Sequence, residues 1–465
     1  MEIILYIIAA FMAIGFVFLI IEYPYHLVGL YIFIIHYDYN LDLPGPLDLR
    51  GILTIAFFLR LIAFDKENLN LFMHDFLKNP LFLSVLFFGL YFVMVTYINT
   101  NSFMRTMRVE IFQLIGLMIG FLTVYKGYAK KALLTAIIFA GIFSTGDLIY
   151  SYLTSSGSFY NTRILDVITK SEFNAFFNHN VMGMFIGIGI VATFMFYITK
   201  QMNNLLAFII FFILGVGILI STSRGTLLAV IVAIAIGVFM LPKEVVNIKK
   251  LIALSLKGLA FLVIIVGGYL FFIKAANLDS EFSKQLYYRL VEEPLQMLEG
   301  KSNDYTTSGA LKEGTIEWRV FQAKRDIGVF TSQRLSTQLL GYGEGGYFKI
   351  GKKEWSPGGK LNQYASHNGF VLIVIERGII GFVFMIIIYL ALIITSIKSF
   401  KKNYLTFPFF AILIFYIVYS YGAQTQLIGK FAYVLFGGVI AQRILDNNEQ
   451  EETEEEEVEE ELQET

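Results

Sequence analysis

The sequence predicts an all-α, polytopic integral membrane protein with 12–13 transmembrane helices and one large extracytoplasmic loop. Three observations predict it. Hydrophobic residues make up 56% of the 465 residues and charged residues only 16%, where a soluble domain carries about 25% charge. The apolar residues also fall in long runs: a hydrocarbon core of about 30 Å takes roughly 20 helical residues, so a dozen spans would use ~240 residues, about half the chain. Cysteine is absent, which excludes disulfide frameworks, thiolate metal sites, haem attachment and Cys nucleophiles.

In chain order, the apolar runs lie near 3–21, 25–37, 51–64, 80–98, 109–125, 131–153, 180–199, 204–221, 225–241, 251–273, 369–397, 405–421 and 424–443. The runs at 25–37 and 51–64 are short for a full crossing, so one or both are expected to be tilted, re-entrant or longer than the run. No 30-residue period recurs, which argues against a solenoid. The N-terminus lacks the basic region of a cleavable signal peptide.

Lysines set the orientation, because short cytoplasmic loops retain Lys and Arg. With alternating spans, Lys126, Lys130 and Lys131, then Lys200, then Lys243, Lys249 and Lys250, and finally Lys398, Lys401 and Lys402 all fall on one side, with Lys66 and Lys78. Segments 99–108, 154–179, 222–224 and 274–368 then face outward. Thirteen spans put Met1 outside and twelve put it inside. The organisation read from this is an N-terminal bundle over 1–273, an outer loop over 274–368, C-terminal helices over 369–443 and an acidic cytoplasmic tail over 444–465. That tail holds twelve of the 37 acids, is self-repelling, and is expected to be disordered.

The outer loop carries thirteen Lys and Arg against eleven Asp and Glu, so it is mildly basic. Within it Ile316, Val320, Ala323, Ile327 and Phe330 recur at helical spacing, with Arg319, Gln322 and Asp326 expected on the opposite face. Gly341, Gly343, Gly345 and Gly346 follow in LLGYGEGGYF, a tight turn with exposed amides. A loop this long is uncommon without a task.

Four polar groups converge on the outward side: His179-Asn180 at the mouth of one span, Ser223-Arg224-Gly225 in a short hairpin, Arg319 on the loop helix, and His367-Asn368 where the loop re-enters the membrane. Each has a plainer role too. Arg224 can snorkel to headgroups, His179 and His367 can cap helices, and Arg319 can pair with Glu317 or Asp326. Inside the spans, Asp147 and Glu376 are intramembrane acids of functional interest, and Glu376 is also able to pair with its neighbour Arg377.

STSRGTLLAVIVAIAIG, an Arg-bearing loop helix, LLGYGEGGYF and SHNGFVLIVIERGIIGFVFMI, in that order over residues 221–390, resemble the O-antigen ligase and polymerase superfamily of bacterial membrane glycan transferases. The resemblance implies a GT-C-like fold in the bacterial inner membrane with a periplasmic active face. It implies an enzyme that moves a glycan from undecaprenyl pyrophosphate to the hydroxyl of a glycan or lipid-core acceptor, as in lipopolysaccharide and other cell-envelope polysaccharides. By position, Arg224 and Arg319 match the family's arginines, Gly341 and Gly343 its Gly-x-Gly, and His367, with Asn368, its histidine; His179-Asn180 matches an Asn-bearing helix entrance. Two departures stand out. Ala323 occupies the place of an aromatic, Gln338 and Leu339 that of a proline, and Arg325 is the alternative loop arginine.

The implied chemistry suits these side chains. A guanidinium fork binds the oxygens of a departing pyrophosphate, and a neutral imidazole accepts a hydroxyl proton near pH 7. Direct displacement inverts the anomeric centre. No Asp-x-Asp or His-Glu-x-x-His occurs outward, so no metal or other cofactor is expected. Nucleic acid is not an expected partner; other polysaccharide-assembly proteins are compatible. The competing classes are a transporter or flippase, a peptidoglycan polymerase relying on an outer Asp such as Asp304 or Asp326, and a membrane scaffold. As a test of orientation, a reporter fused after Gly300 should be extracytoplasmic and one after Lys402 cytoplasmic. Finding both on one side would break the shared outer face.

Overall fold

Apolar runs that open on asparagine fold as the spacing dictates. The computed structural model of the chain describes residues 22–34, 56, 59–60, 74, 76–99, 103–154, 179–221, 223–241, 316–344, 368–400, 407–421 and 431–447. The expected spans at 3–21 and 251–273, most of 51–64 and the acidic tail beyond residue 447 lie outside them. Every regular element among the described residues is helical.

The helices are α1 (Pro24–Ile34), α2 (Pro80–Asn99), α3 (Phe103–Tyr125), α4 (residues 129–154), α5 (His179–Ile198), α6 (Asn204–Ser221) and α7 (Arg224–Met240). From the loop come α8 (Ile316–Thr331) and α9 (Leu335–Leu340); α10 (Gly369–Phe400), α11 (Phe407–Ser420) and α12 (431–447) complete the bundle. Asn79 starts α2, its Oδ1 accepting the N–H of Leu81 at 2.9 Å, with Pro80 at the first helical position. Asn203 starts α6 in the same way, accepting from Leu205 at 2.7 Å. A five-residue π turn, Ile138–Ile142, interrupts α4.

Among the described residues, Pro80–Asn99, Ala129–Gly146 and Gly369–Ser399 can cross a membrane by length and apolar composition, and five shorter apolar helices accompany them. The protein is an all-α polytopic membrane protein. The bundle is inside-out only at its rim: Phe87 and Leu90 on α2, Leu205 and Phe208 on α6, Phe239 on α7 and Ile387 and Leu390 on α10 are exposed. A ring of that kind is stable where lipid rather than water surrounds it.

The centre is built from α5 and α11. Met182, Phe185, Ile186, Met195 and Phe196 of α5 are buried, as are Phe409, Phe410, Phe415 and Tyr416 of α11. These two helices pack on each other and on α7. α3 and α12 approach through glycines: a Cβ on Gly120 would strike the Val434 carbonyl, and one on Gly437 the Leu117 carbonyl.

The contacts fix which ends coincide. Ser396 and Ser399 of α10, Phe409 of α11 and Gln442 of α12 line one small cavity at one end of the bundle. Toward the other end, Phe415 and Thr226 meet at Gly187, and Ser223 and Thr226 press on Gly183 of α5. The starts of α5, α7 and α10 therefore share the end opposite that cavity.

One sequence expectation changes in kind. Residues 369–397 read as a single span, yet Gly378 stands at φ 67°, ψ −178°, so α10 is two helices: a short half-helix Gly369–Arg377 and a long arm from Ile379. The loop-helix face changes as well. Gln322 and Asp326, expected on the outer polar face, are buried, while Ile327 of the apolar stripe is exposed. α8 is rotated so that Gln322, Asp326 and Phe330 face inward with Ala323 beside them.

Candidate functional site

The half-helix is the frame of the site. At its entrance Asn368 Oδ1 accepts the N–H groups of Phe370 at 3.0 Å and Val371 at 3.2 Å, and its carbonyl takes Leu372 N–H at 3.0 Å. Asparagine is there because a side-chain acceptor on the first turn satisfies amides that have no helical partner. One face, Val371, Leu372 and Ile375, is buried against Phe330 of α8, with Ala323 and Tyr342 packed alongside. The loop helix thus lies on the half-helix.

At the other end of the half-helix, the break leaves carbonyls without helical donors. The Gly341-Tyr342-Gly343 turn supplies the donors. Tyr342 N–H donates to the Ile375 carbonyl and Gly343 N–H to the Glu376 carbonyl, both at 2.9 Å. Glycine is required on both sides of Tyr342: φ is 82° at Gly341 and 78° at Gly343, and a Cβ would lie 2.5 Å from the Glu376 oxygen or 2.7 Å from Thr96 Cα.

Further bonds tie the turn to α2 and α3. Glu344 N–H donates to Thr96 Oγ1 at 3.0 Å, and Thr106 Oγ1 donates to the Glu344 carboxylate. Asn99 Nδ2 reaches the Gly341 carbonyl at 3.4 Å. Tyr91 OH lies 2.9 Å from the Arg377 carbonyl and 3.3 Å from that of Leu340.

Beneath the break sits a cation with no solvent exposure. Arg377 Nη2 donates to Glu110 Oε1 at 2.9 Å, and Tyr433 OH lies 3.4 Å from Glu110 Oε2. The guanidinium carbon stands 4.3 Å from the Phe88 ring centre and 3.8 Å from that of Phe92. Arg377 therefore pairs with α3 and not with the adjacent Glu376, the partner that sequence adjacency offered.

On α8, Arg325 Nε and Nη2 both donate to Asp326 Oδ1, at 3.0 and 2.6 Å. Burial raises the Asp326 carboxyl above its ordinary range, with Arg325 opposing the rise through a hydrogen bond and its charge. Burial likewise raises the Tyr342 phenol. The fork of Arg325, the alternative loop arginine, is thus paired with Asp326 through Nε and Nη2.

Residues 209–386 match the family model described as O-antigen ligase. Over this segment the chain is similar to the O-antigen ligase and polymerase superfamily. The matched segment takes in most of α6, all of α7, the loop helices, the Gly turn and the break in α10. No curated protein matches the chain.

The expected site residues separate into two groups at one end of the bundle. Ser223 is buried, 2.8 Å from Thr226 Oγ1, and it packs against Gly183 with Gly225 following in the first turn of α7. This sets the main chain of Arg224 beside the start of α5, where His179 and Asn180 stand. The second group holds Asn368, Gly341, Gly343 and the helix of Arg319. α11, packed on both α7 and α10, is the shared wall between the two groups. The side chains of Arg224, Arg319, His179, Asn180 and Asp147, and the whole of His367, lie outside what the structure describes.

Sequence reasoning did not single out Glu110, Tyr91 or Tyr433. Glu110 carried a signal, an acid at the head of an apolar run; the tyrosines carried none among 27. Among the described residues, no three His, Asp or Glu side chains converge as a metal site would require. Gly341→Ala should cost roughly 1–3 kcal/mol through strain at positive φ, and more through collision with the break. Thermal unfolding in detergent and glycan transfer should both fall. An unaltered melting temperature would show that the turn is not seated on α10.

Proposed function

We propose that the protein is a membrane glycosyltransferase that moves a glycan from undecaprenyl pyrophosphate to an acceptor sugar hydroxyl on the outer face of the bacterial cytoplasmic membrane, as an O-antigen ligase or polysaccharide polymerase. The observation that carries this reading is the seating of the Gly-Tyr-Gly turn on the break of α10 within the matched domain. It holds the loop helix of Arg319 against the half-helix entered from His367, at the end of the bundle where α7 starts with Arg224.

In the proposed reaction His367 takes the proton of the acceptor hydroxyl as its oxygen attacks the anomeric carbon. The bond from that carbon to the phosphate oxygen breaks, and the electron pair leaves with the pyrophosphate. Arg224, fixed by the short hairpin, and Arg319, brought by the loop, hold the developing charge. Attack opposite the leaving group inverts the centre, and two guanidinium forks take the place a metal would otherwise fill. Asn368 supports His367 by fixing the first turn of the half-helix.

Helix register supports the loop's share. Arg319 lies three and seven residues before the buried Gln322 and Asp326, on the helical period of α8. Phe330 sits on Ile375 and Val371, so the start of α8 extends along the half-helix, with Ala323 packed on the same cluster.

A transporter has one feature in its favour, since transporters use discontinuous helices near their sites. Here the freed carbonyls at Ile375 and Glu376 are capped by the loop's own amides, and the buried cation beside them is neutralised by Glu110. The break is a joint and leaves those groups closed to a solute.

The test uses purified protein, a polyprenyl-pyrophosphate glycan and an acceptor. Arg224→Lys keeps the charge but loses the fork, so transfer should fall nearly as far as in Arg224→Ala; full activity of the Lys variant would reduce Arg224 to a headgroup contact. His367→Ala should lose transfer by about a hundredfold or more while still binding donor, and wild-type transfer should decline below about pH 6.5 as imidazole protonates. Lost donor binding with an unchanged pH profile would make His367 a phosphate ligand instead.

A further inference from the structure

The Arg377–Glu110 pair lies at the break of α10, beside the seat of the Gly341-Tyr342-Gly343 turn. Arg377 is fully buried, clamped between two phenylalanine rings, bonded to Glu110, and its backbone carbonyl is held by Tyr91 OH. Its Nε and Nη1 have no hydrogen-bond partner among the described residues, so Glu110 is the one carboxylate that answers its charge there. Burying a cation this way is a poor device for stability alone, because apolar residues of equal volume commonly do as well. Its position gives it another use. Arg377 is the last residue of the half-helix whose first turn follows His367 and Asn368.

We infer that Arg377, Glu110 and Tyr91 are positioning residues that set the direction of the half-helix and thereby the position of its entrance at Asn368, the residue next in sequence to the proposed base His367. This rests on the reading of His367 as the base. From Gly369 to Arg377 the half-helix is about 13 Å long at 1.5 Å per residue. With its lower end as pivot, a swing of about 5° moves the upper end by about 1 Å, and a misplacement of that size can cost about a hundredfold in rate. Gly378 makes such a swing available, since the chain below the pivot is no longer held in one continuous helix. The contacts around Arg377 remove that freedom from three sides: the side chain points to α3 and into the α2 rings, and the carbonyl is held by α2. The Gly turn fixes the two preceding carbonyls from the loop side.

The experiment compares Tyr91→Phe, Glu110→Gln, the double variant Glu110→Gln with Arg377→Met, and His367→Ala, all in purified full-length protein. Melting temperature, donor affinity, kcat and acceptor KM are the readouts. Tyr91→Phe removes one hydroxyl and should fold; its kcat should fall about tenfold with donor affinity within about twofold of wild type. Glu110→Gln should reduce kcat further and lower the melting temperature, by leaving the buried cation unanswered. The double variant removes both charges, so it should recover the melting temperature and not kcat. A residue that served only stability would recover both together, and that result overturns the inference. Wild-type turnover in Tyr91→Phe and the double variant, in a protein that His367→Ala inactivates, would overturn the positioning role alone. Full transfer by His367→Ala would remove the base, and the positioning role with it.

Discussion

A helix that breaks inside an apolar bundle leaves carbonyl groups that water cannot reach, and the described contacts around the break of α10 are arranged to satisfy them. Gly378 creates the break, and Ile375 and Glu376 present the carbonyls. An unanswered backbone group in such surroundings costs several kcal/mol, so the break survives only because two amides arrive from elsewhere in the chain. They come from Tyr342 and Gly343, more than thirty residues earlier in the chain. A local defect in one helix thus dictates the docking of a loop.

Once the turn is seated, the other contacts follow in order. Gly341 and Gly343 adopt positive φ so that consecutive amides can point at α10, and their missing side chains let Thr96 and the Glu376 carbonyl come close. Glu344 is carried to the gap between α2 and α3, where Thr96 and Thr106 receive it. α9 and α8 precede the turn directly, so Phe330 lands on Val371, Leu372 and Ile375. The loop arginine needs no independent anchor, because the helix that bears it is already fixed by apolar contact.

Much of this was legible in the sequence because it rests on local signals. Most of the spans fell within a few residues of the described helices, since apolar length is read along the chain: 80–98 against Pro80–Asn99, and 204–221 against Asn204–Ser221. The glycine turn and the Asn368 entrance were legible for the same reason. The break at Gly378 was not, because IERGIIGFVF is apolar enough to read as unbroken helix and the positive φ is imposed by a distant loop. The partner of Arg377 was hidden for a similar reason. Adjacency suggested Glu376, but consecutive residues diverge around a helix, and Glu110 meets the guanidinium from α3. The rotation of α8 went unseen because hydropathy places Ile327 inside and Asp326 outside, whereas the half-helix takes Phe330 as its anchor and turns Asp326 inward with it.

The electrostatics of the half-helix connect this frame to the proposed chemistry. A helix carries partial negative charge at its C-terminal end and partial positive charge at its N-terminal end. The negative end is answered in full: two amides bond its carbonyls, and the Arg377 side chain lies alongside with Glu110 as its counter-ion. The positive end carries the neutral amide oxygen of Asn368 across its first turn, which satisfies the amides without cancelling the dipole. A carboxylate at residue 368 would cap the turn equally well but would place a negative charge at the entrance of the half-helix. An uncharged asparagine there adds no anion beside the proposed base His367, and in the proposed reaction the departing charge falls to Arg224 and Arg319 instead.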